Sequence, residues 1–412
     1  MEDRVNAKMF WAYMLVGLLL VLISLGFGRL SYGVVMPFMQ EGLRLSYAQA
    51  GFLGTITSLG YLATVLLAGW LAARWGNKQT VVLGCSLLVL SMFGLSSSNG
   101  YGVAMVAMFG AGVGSGMVFT PALSLMVGWF PERRGLAAGF LMSGTGLAMV
   151  LSGLIVPAVS TGVADGWRWV WRGFAAAALL VFLLAVWLLR NPPSAASAAA
   201  RSGGLSISEQ VYRNPGVLRV AGMYFSFGIA YLVPSTFQMS YMLAQQIAST
   251  TAGMLTAMGG VLSLASSPVW GWVSDRIGRQ RTLVAAFATV MVALLIPVLY
   301  PKLLGFFLSQ LLSGSTIAAI PALIQASASE QVPPVLVPVA LGYVTIFFSV
   351  GQLVGPGLGG WFIDHVMGFP SAYLFTILML SLGLALAYGM RAPARAHEET
   401  RPLASRTDEL HR

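Results

Sequence analysis

Arg29 is the residue whose position most needs a chemical reason. It lies inside the apolar stretch 9–36, seven residues before Met36, so roughly 10 Å from the nearer helix end at about 1.5 Å per residue. A cation at that depth costs several kcal/mol unless it is paired or hydrated, which makes it a functional candidate. The chain has 13 Asp and Glu; all fall in predicted loops or tails, as do His365, His397 and His411. The apolar stretches therefore offer Arg29 no carboxylate, and an anionic ligand would supply one. The planar guanidinium suits a carboxylate, to which it donates two parallel hydrogen bonds. Two structural roles compete with this one: snorkelling towards the surface, or bonding to backbone carbonyls.

Helical spacing names the companions. Tyr32 stands at i+3 from Arg29, on the same face of an α-helix. In the stretch 216–243, Tyr224, Gly228, Tyr231, Ser235 and Gln238 step by three and four and form one polar-aromatic stripe. Gln310, Tyr343 and Phe347 complete the candidate binding set, with helix packing as the competing role for each aromatic. The same inventory argues against an enzyme or a metal site. A nucleophile would need a His or acid partner, and the apolar stretches hold neither. No cofactor is expected. The segment GAGVGSG, from Gly110 to Gly116, has the glycines of a phosphate loop but follows no strand and carries no Lys. It reads as a close helix contact through small residues. The single Cys85 reads as a small core residue, with no disulfide framework.

What must position these residues follows from composition. The chain has 412 residues, of which 57% are hydrophobic and 9% charged, where a soluble domain carries roughly 25% charged residues. Its mean hydropathy is +0.80. A soluble protein of this composition would expose large apolar patches, so that class is excluded. Apolar runs occur at 9–36, 46–72, 79–98, 102–127, 135–160, 170–189, 216–243, 250–273, 282–300, 303–327, 336–363 and 370–390. Each is long enough for a crossing of about 20 residues, and backbone groups in lipid must be satisfied internally, so the runs are helices. The first run is too long for a secretory leader and reads as a retained span.

Charge then orients the chain. The net charge is +10, from 23 Lys and Arg. Eighteen of these fall in the tails and the loops after even-numbered runs. Only Arg44, Arg168, Arg172 and Lys302 fall in the others, and Arg29 is the last. That bias predicts cytoplasmic termini in a cell inner membrane, and it explains the basic pI without a nucleic-acid partner. The expected partners are membrane lipids and a small-molecule substrate, with a monomeric chain. Residues 1–190 and 215–390 are expected to form two six-helix bundles, joined by a linker over 191–214 and followed by a tail over 391–412. Ser206 and Glu209 have the spacing of a capping box, which predicts a short interfacial helix before the seventh run.

The halves repeat. GWLAARWGNK begins at Gly69 and GWVSDRIGRQ at Gly271; SLGFGRL from Ser24 aligns with SFGIAYL from Ser226, and PAL recurs at Pro121 and Pro321. The segment GWVSDRIGRQR resembles the loop motif of the major facilitator superfamily of secondary transporters. GFGRLSYGVVMP and WFPERRGLAAG look like the YbfB/YjiJ-type members, the latter also similar to the oxalate/formate and monocarboxylate branch. The resemblance implies an all-α membrane protein with twelve transmembrane helices in two pseudo-symmetric bundles and a site near the midplane between them. It also implies that Asp275, with Arg276 and Arg279 nearby, latches the cytoplasmic side. In the first half Ala73 replaces that Asp, leaving Glu132 to serve Arg74. Solvated loop charges are the other reading of all five. Gly342, Gly351, Gly355, Pro356, Gly359 and Gly360 are similar to the superfamily's antiporter motif, but stand in span eleven instead of span five.

The expected function is secondary active transport of a small organic monoanion, a monocarboxylate, by rocker-switch alternating access. A dianion is disfavoured because spans eight and eleven lack the basic residues that the oxalate carriers use there. The spans also hold no acid to carry a proton. A symported proton would travel with the substrate, or through Asp364 or His365 at the outer rim, or be absent. The alternative is an exporter of drugs or of neutral or anionic metabolites with the same fold, and further off a membrane sensor or enzyme.

Overall fold

The computed structural model describes residues 2–191 and 208–390. Ser206 and the tail beyond 390 lie outside the described residues. Where the short interfacial helix was expected there is a π-helical turn, Ser208–Tyr212.

Among the described residues twelve helical spans follow one another. Span one is composite: Glu2–Val21, a π-helical stretch Leu22–Leu30, and Tyr32–Leu43. Span two is Tyr47–Trp75, three Asn77–Ser96, four Tyr101–Trp129, five Arg134–Gly162 and six Gly166–Leu188. Span seven is Pro215–Ala244, eight Ser249–Ile277 and nine Arg279–Leu299. Span ten is broken into Leu303–Gly314 and Ala319–Ser329, eleven is Val337–Phe362 and twelve Phe369–Tyr388. Eleven of these spans are long and apolar enough to cross a membrane. Tyr47–Trp75, with 29 residues, is long enough at about 43 Å. Large apolar side chains such as Leu90, Val106 and Trp187 point outward, as a lipid solvent requires.

The repeat is visible in the backbone. Gly76 ends span two at φ 93° and ψ 153°, and Gly278 ends span eight at φ 89° and ψ 153°. Both angles lie where side chains are strained, so each copy of the loop motif turns on a glycine. The small residues of span four make the close helix contacts expected of them, and Gly144 of span five makes another. Gly112 abuts the Thr57 carbonyl, Gly114 that of Gly84, and Gly144 that of Leu18. The symmetry fails at span ten. Span four is one helix, whereas span ten unwinds over residues 315–318. The freed carbonyls are taken by span eight: Trp270 Nε1 donates to Ser315 O at 3.0 Å and Ser267 Oγ to Ala318 O at 3.1 Å.

The two halves close on the face that carries the turn between spans one and two. There Gly33 packs on the carbonyl of Ser235, Gly153 and Gly253 pack on each other's carbonyls, and Gly360 packs on that of Tyr47. Towards the other face, which carries both ends of the described chain, the halves part. Among the described residues the side-chain hydrogen bonds between the halves are Arg29 to Gln352, Thr55 to Leu353 O, Gly357 N to Thr55, Ser240 to Met36, and Tyr47 N and Ala48 N to Asp364, none of them at that face.

One carboxylate joins the halves at the closed face. A helix start leaves four backbone donors without intrahelical partners. At span two, Ser46 Oγ accepts from Gln49 N and Gln49 Oε1 from Ser46 N. The two remaining donors go to the other half: Tyr47 N and Ala48 N donate to Asp364, at 3.2 and 2.6 Å. Losing a helix cap costs about 1 kcal/mol, roughly fivefold in a two-state population. Asp364→Asn is therefore expected to loosen this face. A cysteine in place of Met36, 1% exposed at the seam of spans one and seven, should then label several-fold faster with an impermeant maleimide. The native Cys85, at 0% exposure, gives no background. Unchanged labelling would count against the latch.

Candidate substrate site

Arg29 owes its direction to the π-helical stretch. Ser31 N bonds Gly26 O at 2.9 Å, five residues back, which widens the turn, a distortion common at functional sites. The glycines at 26 and 28 let the widened turn pack closely on Ala148 and Ser115. The guanidinium crosses to the other half. Its Nη2 donates to Gln352 Oε1 of span eleven at 3.2 Å, and its carbon lies 4.1 Å from the centre of the Tyr61 ring of span two. Arg29 has no carboxylate partner among the described residues. An aromatic face and a neutral amide steady the cation without cancelling its charge. Sequence reasoning missed both partners, although Gln352 stands out as the one amide in its apolar span.

A cavity of about 140 Å³ opens between spans one, five, seven, eight, nine and ten, with Leu30, the residue after Arg29, in its wall. Leu30 lines it from span one, and Tyr231, Ser235 and Gln238 from span seven. Gln310 lines it too, with Ser309 and Ser313 from span ten and Thr256 from span eight. No charged residue lines it. Tyr231, Ser235 and Gln238 are only half-buried, while their neighbours on span seven are buried. The lower part of the stripe is sealed: Gly228 packs on Phe348 O, and the Tyr224 hydroxyl accepts from Gln325 Nε2 at 3.0 Å.

Three candidates lie elsewhere. Tyr32 is 3% exposed and its hydroxyl donates to Ala50 O at 2.7 Å. The i+3 argument assumed α-helical winding, and the π turn ends between Arg29 and Tyr32. Tyr343 and Phe347 stack edge-on with centres 5.1 Å apart, and Tyr343 also meets Tyr212 at 5.1 Å. They stand on span eleven below the cavity, in an aromatic cluster. The gate charges are also arranged differently. Arg279 pairs with Glu330 at 3.1 Å and donates to Ser274 Oγ at 2.8 Å. Asp275 is exposed and unpaired among the described residues, and Arg276 covers the Trp272 ring at 3.7 Å. Arg74 lies 5.5 Å from the Trp70 ring, and exposed Glu132 does not reach it. Of the five charges Arg279 alone has an ion pair among the described residues, and it lies within its own half.

This arrangement of a lone buried cation, a midplane cavity and two repeated bundles can be set beside known proteins. A family model described as the uncharacterised MFS-type transporter YbfB matches residues 21–388. The chain belongs to that family. It is therefore a multi-pass membrane transporter of the major facilitator fold, not an enzyme. It is 26% identical over 315 residues to the agnestins efflux protein AgnL12 of Paecilomyces divaricatus, covering 75% of this chain and 70% of that protein. It is 26% identical over 340 residues to monocarboxylate transporter 12-B of Danio rerio, covering 70% and 67%. The crystal structure of a bacterial homologue of the human lysosomal transporter Spinster, inward-facing and unoccupied, superposes with a TM-score of 0.76. It shares 16% identity, with 93% and 96% of the two chains covered, and that likeness speaks to the fold alone.

Proposed function

We propose that this member of the family carries small organic monoanions, monocarboxylates foremost, across the cytoplasmic membrane by alternating access. The observation that carries the reading is the Arg29 guanidinium, held between halves by a ring and a neutral amide with no carboxylate among the described residues. A single uncancelled charge matches one carboxylate, and a dianion would want two. The basic loops support placing the parted face at the cytoplasm, which makes this arrangement inward-open on that reading. Similarity to a monocarboxylate transporter supports the cargo class, and similarity to an efflux protein leaves direction to the gradient. The uncharged cavity wall favours a second reading, in which neutral metabolites are carried.

Counterflow in proteoliposomes separates the two. Vesicles preloaded with a mixture of monocarboxylates should take up labelled monocarboxylate and ignore dicarboxylates. Exchange of neutral solutes alone would select the second reading. Gln352→Glu tests the site more narrowly. A glutamate there hands Arg29 a permanent counter-charge, so monocarboxylate binding should fall by about tenfold or more while the fold is kept. Binding equal to the parent's would argue against Arg29 as the anchor.

A further inference from the structure

The cavity that begins at Leu30, the residue after Arg29, contains more hydrogen-bonding capacity than the protein uses. While Ser160, Ser266 and Thr316 are sealed without a partner among the described residues, many hydroxyls of the spans satisfy themselves on the preceding turn, as Thr57 does on Leu53 O, Thr64 on Gly60 O and Ser327 on Leu323 O. That is the ordinary state of Ser and Thr in a membrane helix. Ser313, Thr256 and Ser263 at the cavity wall do the same. Four groups do not. The Tyr231 hydroxyl, Ser235 Oγ, the Gln238 amide and Ser309 Oγ make no hydrogen bond to any described residue. They are also not among the sealed, unpartnered atoms of the interior. All four line the one cavity, three on a single face of span seven and the fourth across from them on span ten.

We propose that the cargo is a small hydroxylated monocarboxylate, its carboxylate taken by Arg29 and its hydroxyls by Tyr231, Ser235, Gln238 and Ser309. This rests on the anion reading above and names the substrate class within it. Tyr231 links the two parts: it lines the cavity, and its ring lies 6.5 Å from that of Phe348, one helical turn before the Gln352 that holds Arg29. Four groups left without water or ligand when the halves close would each carry a desolvation penalty. A cargo with hydroxyls answers them, and an alkyl chain does not. Sites that hydrogen-bond a substrate hydroxyl reject the analogue lacking it strongly, whereas apolar sites discriminate weakly. The volume sets the size. About 140 Å³ is space for a small cargo.

Threonate, butyrate and threitol share one chain length and divide the two features between them. Calorimetric titration of the purified full chain should find threonate bound about tenfold or more tighter than butyrate, and tighter than threitol. The double variant Ser235→Ala/Gln238→Leu should bring threonate down to butyrate's affinity and leave butyrate unchanged. Ser309→Ala, on the opposite helix, is an independent check with the same direction. Arg29→Gln should weaken threonate and butyrate alike and spare threitol. Equal binding of threonate and butyrate, both weakened by Arg29→Gln, overturns this inference and leaves the anion reading standing. Threitol bound as tightly as threonate and indifferent to Arg29→Gln overturns the anion reading and this inference with it. Binding of none of the three overturns both.

Discussion

Replacing Arg29 with glutamine is expected to lower monocarboxylate binding and exchange at least about 100-fold while leaving the protein as stable as before or more so. Two charge-assisted hydrogen bonds contribute about 1.5–3 kcal/mol each, and about 1.4 kcal/mol is tenfold in affinity. Glutamine keeps a donor for Gln352 Oε1, which now receives the Arg29 bond at 3.2 Å, and removes only the charge and the fork. The stability forecast has the opposite sign because an uncancelled cation in the membrane interior is a cost to the fold. A residue kept at such a cost is the signature of function traded against stability. Arg29→Lys is the companion variant: it retains the charge, loses the planar fork, and should fall between the two. Thermal melting and counterflow on the same preparations check all three. Full exchange in Arg29→Gln, or a collapse in its melting temperature, would assign Arg29 a structural role instead.

The second large effect is expected from Gly33→Val. A Cβ at this position would run into the Ser235 carbonyl and come within 3.0 Å of Thr236 Cα. Both are backbone atoms of the opposing half, so no rotamer relieves the clash. Overpacking of this kind costs about 1–3 kcal/mol, and here the penalty falls on one conformation only. Spans one and seven touch through Gly33 when the first-loop face is shut, and not when it opens. The variant should therefore populate the outward-open arrangement and slow exchange about tenfold or more. A cysteine at Met36 should become reactive to impermeant maleimide from outside. Normal exchange with Met36→Cys still protected would show that the seam yields without consequence.

How far the sequence carries this picture differs by feature. Apolar run length and the charge bias across loops are one-dimensional properties, so the spans and the repeat were readable. Arg29 was readable because an isolated charge in hydrocarbon is rare. The stripe of Tyr231, Ser235 and Gln238 was readable because span seven is regular α-helix there. Tyr32 was misread because a π turn shifts every residue after it, and no simple pattern in LISLGFGRL announces that winding. Tyr61, Gln352 and Ser309 were missed because they depend on which spans of opposite halves meet, a property of topology and not of local spacing. Arg74 and Glu132 were matched on charge alone, and Arg74 lies against the Trp70 ring of its own helix instead.

The interruption in span ten is fastened at both of its ends, by Trp270 at Ser315 and by Ser267 at Ala318. A loose kink would flex when the halves rock and scatter the groups around it. A kink bolted to span eight travels with it as one rigid panel. On the proposed reading, the wall that spans eight and ten give to the cavity keeps its pattern while the halves move.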